Sequence, residues 1–291
     1  MELTGVLLVI ATVVVTALGL VIGSFLNVVI YRLPREGLAV SKPSRSFCPA
    51  CQNQIAWYDN IPVLSWVILR GHCRSCRVPI SIRYPLVELL SGLLSFFIFQ
   101  AEGLSLRYVF YFYFAMCLTA IAFIDLEFMV IPDVLVKPTY LVGFISAIAS
   151  PHPSLPGATL WGYLYQSGWN ERLISLAGAA LAFLVGFLTL WLLSTVYKLL
   201  KGHRGLGEGD PPLLGLIALF LGLPSILPVL LLSSVLGLLS VVILVISGRF
   251  PKSGLGLRPI PFGPFLSLAA LIWLFWGQRF LLWYLPPTYY G

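Results

Sequence analysis

Asp210 closes the stretch Gly205-Leu206-Gly207-Glu208-Gly209-Asp210-Pro211-Pro212-Leu213-Leu214, where a glycine-rich turn runs into more than thirty residues without another charge. An ionised Asp carried into lipid costs roughly 2.5–3.5 kcal/mol on insertion scales. At the mouth of an apolar helix such a residue is either a cap or a reagent. Capping is a sound reading, since Asp is a favoured N-cap and Pro a favoured first helical residue. It leaves unexplained the Gly-x-Gly, which lets backbone approach closely or bend, and the two acids within an otherwise basic segment. A matching acid exists: Asp125, in Asp125-Leu126-Glu127, closes another apolar run and arrives at the same face. Two carboxylates in a partly dry site do not readily both ionise. One then serves as general base toward water and the other as general acid toward a departing amine, and the two titrate as a pair. For a lone Asp125 the competing reading is an interfacial charge ending a helix. Asp133, just before the next apolar run, reads as its N-cap, and Glu127 as a solvated neighbour.

Four of the five cysteines form Cys48-x2-Cys51 and Cys73-x2-Cys76, with 21 residues between the pairs. Thiolates at this spacing share one tetrahedral ion, and a closed four-Cys zinc site is structural rather than catalytic. In a loop assigned to the reducing cytosol, metal is the expectation and disulfides are not. His72, beside Cys73, reads as an ordinary loop histidine rather than a substitute ligand, and Cys117 as a packing residue.

The elements that must position these groups are apolar. The chain has 291 residues, 59% of them hydrophobic and 10% charged, with a mean hydropathy of +0.95. This composition predicts an all-α polytopic membrane protein. Apolar runs at 4–30, 84–101, 108–124, 134–150, 173–197, 225–246 and 262–284 approach the roughly 20 residues a crossing needs. A shorter run at 213–222 supplies an eighth, of about 15 Å at helical rise. The first run begins after Met1 and Glu2 and is too long for a cleavable signal. The net charge of +7 is a topology signal: 15 of the 18 Lys and Arg fall at 32–83, 137, 198–204 and 249–258. These segments belong to the cytoplasmic side by the positive-inside rule. About eight crossings follow, with both termini outside and a proline- and aromatic-rich outer loop at 151–172. The expected domains are a first helix (1–31), a cytoplasmic cysteine loop (32–83) and a helical bundle (84–291). The loop is too small to build a good core without a staple, and no internal repeat of useful length is evident. Arg32, Arg35, Lys42 and Arg45 read as topology determinants before lipid-head contacts. Trp57, Tyr58 and Trp66 read as loop packing or interfacial anchors, not a nucleic-acid surface.

Ile124-Asp125 through Ile131-Pro132-Asp133, followed by Gly207-Glu208-Gly209-Asp210, resembles the bacterial type IV prepilin peptidases, GxGD membrane aspartic proteases. The resemblance extends to Gly23-Ser24-Phe25-Leu26-Asn27-Val28-Val29-Ile30-Tyr31-Arg32, both Cys-x2-Cys pairs, Arg83-Tyr84-Pro85-Leu86-Val87-Glu88 and Ile260-Pro261-Phe262-Gly263-Pro264-Phe265. It implies an inner-membrane enzyme that cuts the basic leader from prepilins or pseudopilins on the cytoplasmic side. It implies further that the new N-terminal amine is methylated with S-adenosylmethionine. Asp125 and Asp210 are then the protease pair. Where the family usually has Lys two places after the second aspartate, Pro212 stands here. No glycine-rich dinucleotide loop occurs in 32–83, so a methylation site has to be assembled from the loop and membrane helices. Glu88, just inside an apolar helix, is a candidate for the substrate amine or a snorkelling interfacial carboxylate. Gly71 lies in a region the resemblance ties to methylation, and a tight turn explains it equally. Glu208 and Glu127 are candidates to meet the leader's cations.

A transporter would place charges near mid-bilayer and repeat its halves, and neither pattern is present. A peptidase without methylation, or a non-enzymatic zinc-loop scaffold of a secretion or pilus machine, is the remaining alternative.

Overall fold

In the computed structural model of the chain, residues 2–42, 45–151, 168, 170–203, 205–248 and 260–284 are described. Most of the expected outer loop at 151–172, the basic segment at 249–258 and the residues after 284 lie outside them. Every apolar run forms a helix. In order they are α1 (Glu2–Arg32), a short 3-10 turn (Trp57–Asn60), α2 (Leu64–Ile68), α3 (Arg83–Glu102), α4 (Leu106–Phe128), α5 (Asp133–Ala149), α6 (Glu171–Lys201), α7 (Asp210–Leu221), a second 3-10 turn (Leu223–Ser225), α8 (Ile226–Ile246) and α9 (Gly263–Tyr284). The described residues contain no β-strand, only isolated bridges in the loop after α1. The protein is an all-α, multi-pass membrane protein.

Among the described residues, five helical segments are long and apolar enough to cross a bilayer: Gly5–Arg32, α3, α4, α6 and Leu223–Ile246. Asp210–Leu221 and the stretch Gly263–Gly277 are shorter apolar helices, so eight full crossings are not established. The 12 residues of α7 rise about 18 Å, against a hydrocarbon core about 30 Å thick.

The chain divides into two compact units, Met1–Ala120 and Ile121–Gly291. In the first, α1 lies against α3 along a small-residue seam. A Cβ at Gly19 would sit 2.6 Å from the Ser95 Cβ, and one at Gly23 would sit 2.8 Å from the Glu88 Cα. This Gly-x3-Gly spacing lets backbones meet where lipid supplies no hydrophobic drive. Two polar bonds lock the seam: the Ser95 hydroxyl donates to the Val15 carbonyl (2.6 Å) and the Asn27 amide to the Tyr84 carbonyl (3.0 Å).

In the second unit α7 is the centre. Ten of its residues, Asp210, Pro211 and Leu213–Phe220, are buried, because it packs against α5, α6 and α9. Close approach to α6 again depends on glycine. A Cβ at Gly186 would meet the Ala218 Cβ and the Leu214 carbonyl at 2.9 Å.

Candidate active site and metal centre

Asp210 is not a cap. The N-cap position is Gly209, and Asp210 is the first residue of α7. Its side chain turns backward, so that the Gly207 N–H donates to Asp210 Oδ2 (2.9 Å), while the Asp210 N–H donates to the Gly207 carbonyl (3.3 Å). A buried helix start normally leaves N–H groups without partners. Here Pro211 and Pro212 have none to satisfy, and the Leu213 N–H reaches the Gly209 carbonyl at 3.1 Å. The two prolines therefore make a dry helix start possible without competing for the carboxylate. The glycines serve close approach, not a bend. A Cβ on Gly207 would lie 3.1 Å from Asp210 Oδ2, and one on Gly209 would lie 2.6 Å from the Ile131 Cβ.

Asp125 sits in the last turn of α4, which ends where Met129 takes a positive φ of 55° and donates its N–H to the Asp125 carbonyl. The Gly263 N–H, opening α9, donates to Asp125 Oδ2 (3.1 Å). A Cβ on Gly263 would lie 2.6 Å from that oxygen and 3.2 Å from the Ile131 Cδ1. Ile131 thus lies beside both glycines, the one that holds Asp125 and the one that precedes Asp210. Both carboxylates are nearly buried, at 5% and 3% exposure, and Asp125 is within Coulombic reach of Asp210. Each has one oxygen on a glycine N–H, which leaves the other for water or substrate. The sequence pointed to both acids. It did not give Gly263 or Ile131 a part in the site, although both fall in the motif blocks.

Asp133 is also not a cap. Pro132 holds that position, and Asp133 pairs with Lys137 one turn on (2.6 Å) with both side chains well exposed. Glu127 and Glu208 are exposed.

In the first unit the four cysteine Sγ atoms lie within 4.8 Å of one another, and Cys48 and Cys76 are 3.8 Å apart. Thiolates about 2.3 Å from a tetrahedral zinc stand about 3.8 Å from each other, so this donor set fits such an ion. The two hairpins are copies. Cys48 N–H donates to Asn53 O and Gln52 N–H to Cys48 O, just as Cys73 N–H donates to Val78 O and Arg77 N–H to Cys73 O. Gln52 and Arg77 both have φ of 59°. The sequence showed two Cys-x2-Cys pairs but not this repeated backbone. Main-chain N–H groups of Cys76 and Ser75 bring the Cys73 thiol down to about 7. At Cys76 a main-chain bond from Val78 is outweighed by burial and the neighbouring thiols, which push that thiol up to about 11. His72 stays outside the cluster, its Nδ1 2.7 Å from the Arg70 carbonyl.

Gly71 has φ of +69°, and a Cβ there would meet the Trp66 ring at 2.9 Å. Trp66 in turn donates to the Ile80 carbonyl. Arg32 turns inward and is 4% exposed. Its guanidinium donates to the carbonyls of Ala39, Val40 and Arg45, pinning the loop rather than meeting lipid heads. Glu88 Oε2 accepts from the Val63 N–H at 2.7 Å.

The bacterial peptidase A24 N-terminal domain model matches residues 17–101, and the type IV leader peptidase family model matches residues 112–242. A prepilin leader peptidase/N-methyltransferase of Aeromonas hydrophila is 38% identical, with 91% of each chain covered. Proteins of the same name are 37% identical in Stutzerimonas stutzeri and 34% in Pseudomonas aeruginosa, each over 90% of this chain and 89% of the relative. No solved structure matches the chain. With one domain model on each side of residue 110 and relatives alike over nine-tenths of its length, this chain belongs to the type IV leader peptidase family.

Proposed function

We propose that this protein removes the leader of type IV prepilins or pseudopilins with Asp125 and Asp210, then methylates the new N-terminal amine. The observation that carries the proteolytic half is the pair of nearly buried carboxylates, each tied by one oxygen to a glycine N–H. The pair shares one proton, since two adjacent carboxylates in a poorly solvated site resist double ionisation. The ionised member takes a proton from water as that water adds to the scissile carbonyl. The protonated member gives its proton to the amide nitrogen as the C–N bond breaks.

The loop 32–83, with zinc on Cys48, Cys51, Cys73 and Cys76, is the element associated with methylation, and the helices of 84–291 form the peptidase bundle. The ion's part is to fold the loop. S-adenosylmethionine supplies a methyl group to the free amine, its sulfur keeping the electrons of the broken C–S bond and the amine's proton passing to water. Gly71 shapes the second hairpin. Glu88 lies where the loop meets α3. Both termini face outward and the aspartates face the cytoplasm of the bacterial inner membrane, in keeping with the distribution of Lys and Arg.

Co-expression with a cognate prepilin, followed by mass analysis of the substrate, tests both halves. Loss of the leader mass and gain of one methyl mass are expected. A full-length prepilin beside normally expressed enzyme refutes the proposal. The exposed Glu208 steers the basic leader. Glu208→Lys is expected to slow processing by about two- to fivefold at low salt and less at high salt, as befits one screened charge. A salt-independent change in rate counts against steering.

A further inference from the structure

A cavity of about 310 Å³ lies where the cysteine loop meets the end of α1, built wholly from residues 21–62. Its size is at the lower end of the range for small-molecule sites. Phe25 and Val28 give it an apolar side, while Ser24, Arg32, Ser46 and Asn60 give it polar ones. Bonded contacts connect the cavity to the cysteine cluster. Arg74, between the ligands Cys73 and Cys76, grips Asp59 with two bonds of 2.7 and 2.6 Å, and Asp59 precedes Asn60.

The same segment is strained just beyond Asn60. Pro62, Val63 and Leu64 form a γ-turn of the rarer kind, with the Leu64 N–H on the Pro62 carbonyl at 2.6 Å. Val63 sits at φ 61°, ψ −50°, a conformation that a β-branched residue seldom adopts. Such a turn persists only where its surroundings hold it. Glu88 does so: one carboxylate oxygen takes the Val63 N–H, and the side chain also bonds to Ser24. It thereby joins a turn residue beside one wall to a hydroxyl on the other.

We propose that this cavity binds the methyl donor, and that Glu88 is a positioning residue that latches its wall rather than the group that meets the substrate amine. This rests on the methyl-transfer reading above. A donor of the S-adenosylmethionine class combines a flat heteroaromatic ring, a carboxylate and a compact positive centre without phosphates. The cavity matches that mixture with an apolar side, one fixed guanidinium and neutral hydrogen-bonding groups.

The test uses full-length enzyme in lipid nanodiscs and equilibrium binding of radiolabelled S-adenosylmethionine. Ser46→Leu fills the cavity and is expected to weaken binding by at least about tenfold, or 1.4 kcal/mol. Zinc content and leader removal remain as in the wild type. Glu88→Gln keeps an oxygen for the Val63 N–H and retains binding and methylation, whereas Glu88→Ala loses both. Wild-type affinity in Ser46→Leu overturns the cavity assignment alone. If Ser46→Leu loses zinc, Asn60→Ala, which removes a polar group from the lining, decides by the same binding measurement. Loss of methylation in Glu88→Gln as complete as in Glu88→Ala, with zinc retained, shows that the charge is required and removes the latch. A wild-type enzyme that cleaves but binds no donor overturns the methyl-transfer reading and the cavity with it.

Discussion

Asp125→Asn and Asp210→Asn are each expected to abolish leader removal, lowering the rate by at least about 10³-fold, on the scale of a lost general acid or base. The substitution is chosen to separate chemistry from folding. An Asn side chain has the shape of Asp, and its amide oxygen accepts the same glycine N–H, from Gly263 at position 125 and from Gly207 at position 210. The close backbone approaches at both sites are therefore kept, and what disappears is the capacity to exchange a proton. Because the two acids act as one unit, the double variant is expected to be scarcely worse than either single one. Cleavage of a co-expressed prepilin, timed by loss of the leader mass, measures this. Undiminished processing in either variant, with enzyme present at normal levels, refutes the assigned pair.

Cys48→Ser combined with Cys73→Ser is expected to take zinc stoichiometry from one to zero and to open the loop to protease. Each hairpin then loses a ligand, and two remaining thiolates do not hold a structural ion. Structural zinc sites contribute about 10–16 kcal/mol of apparent binding free energy, which in a small loop is folding free energy. Bound metal is read by elemental analysis and loop integrity by limited proteolysis within 33–82. Unchanged metal in the double variant excludes the four-thiolate site. The wild-type enzyme treated with a strong chelator is expected to reproduce the proteolytic pattern.

Much of this site was legible from residue type and spacing. Asp125 and Asp210 stand out because a charge at the end of an apolar run has few inexpensive explanations. The cysteines stand out because x2 pairing is itself coordination geometry. What the sequence conceals is direction. The Lys and Arg count assigns Arg32 to a membrane edge, yet cannot tell that it points inward onto three carbonyls. Asp210 followed by Pro reads as a cap, and only coordinates show the carboxylate reaching back to Gly207. Gly263 lies 138 residues from the acid it binds, a separation that no periodicity spans. The number of crossings was the least legible feature, since a 12-residue helix enclosed by other helices is as apolar as one that faces lipid.

Because both cysteine hairpins close on their own backbone bonds, a bidentate clamp can exist in either one before its partner arrives. An ion fitting the four thiolates would meet two neighbouring sulfurs first and the distant pair afterwards. Only the second stage has to draw together a ring of 21 intervening residues, and its entropy grows slowly with ring length. Local closure of each hairpin thus reduces the ordering that an ion fitting the four thiolates would have to impose.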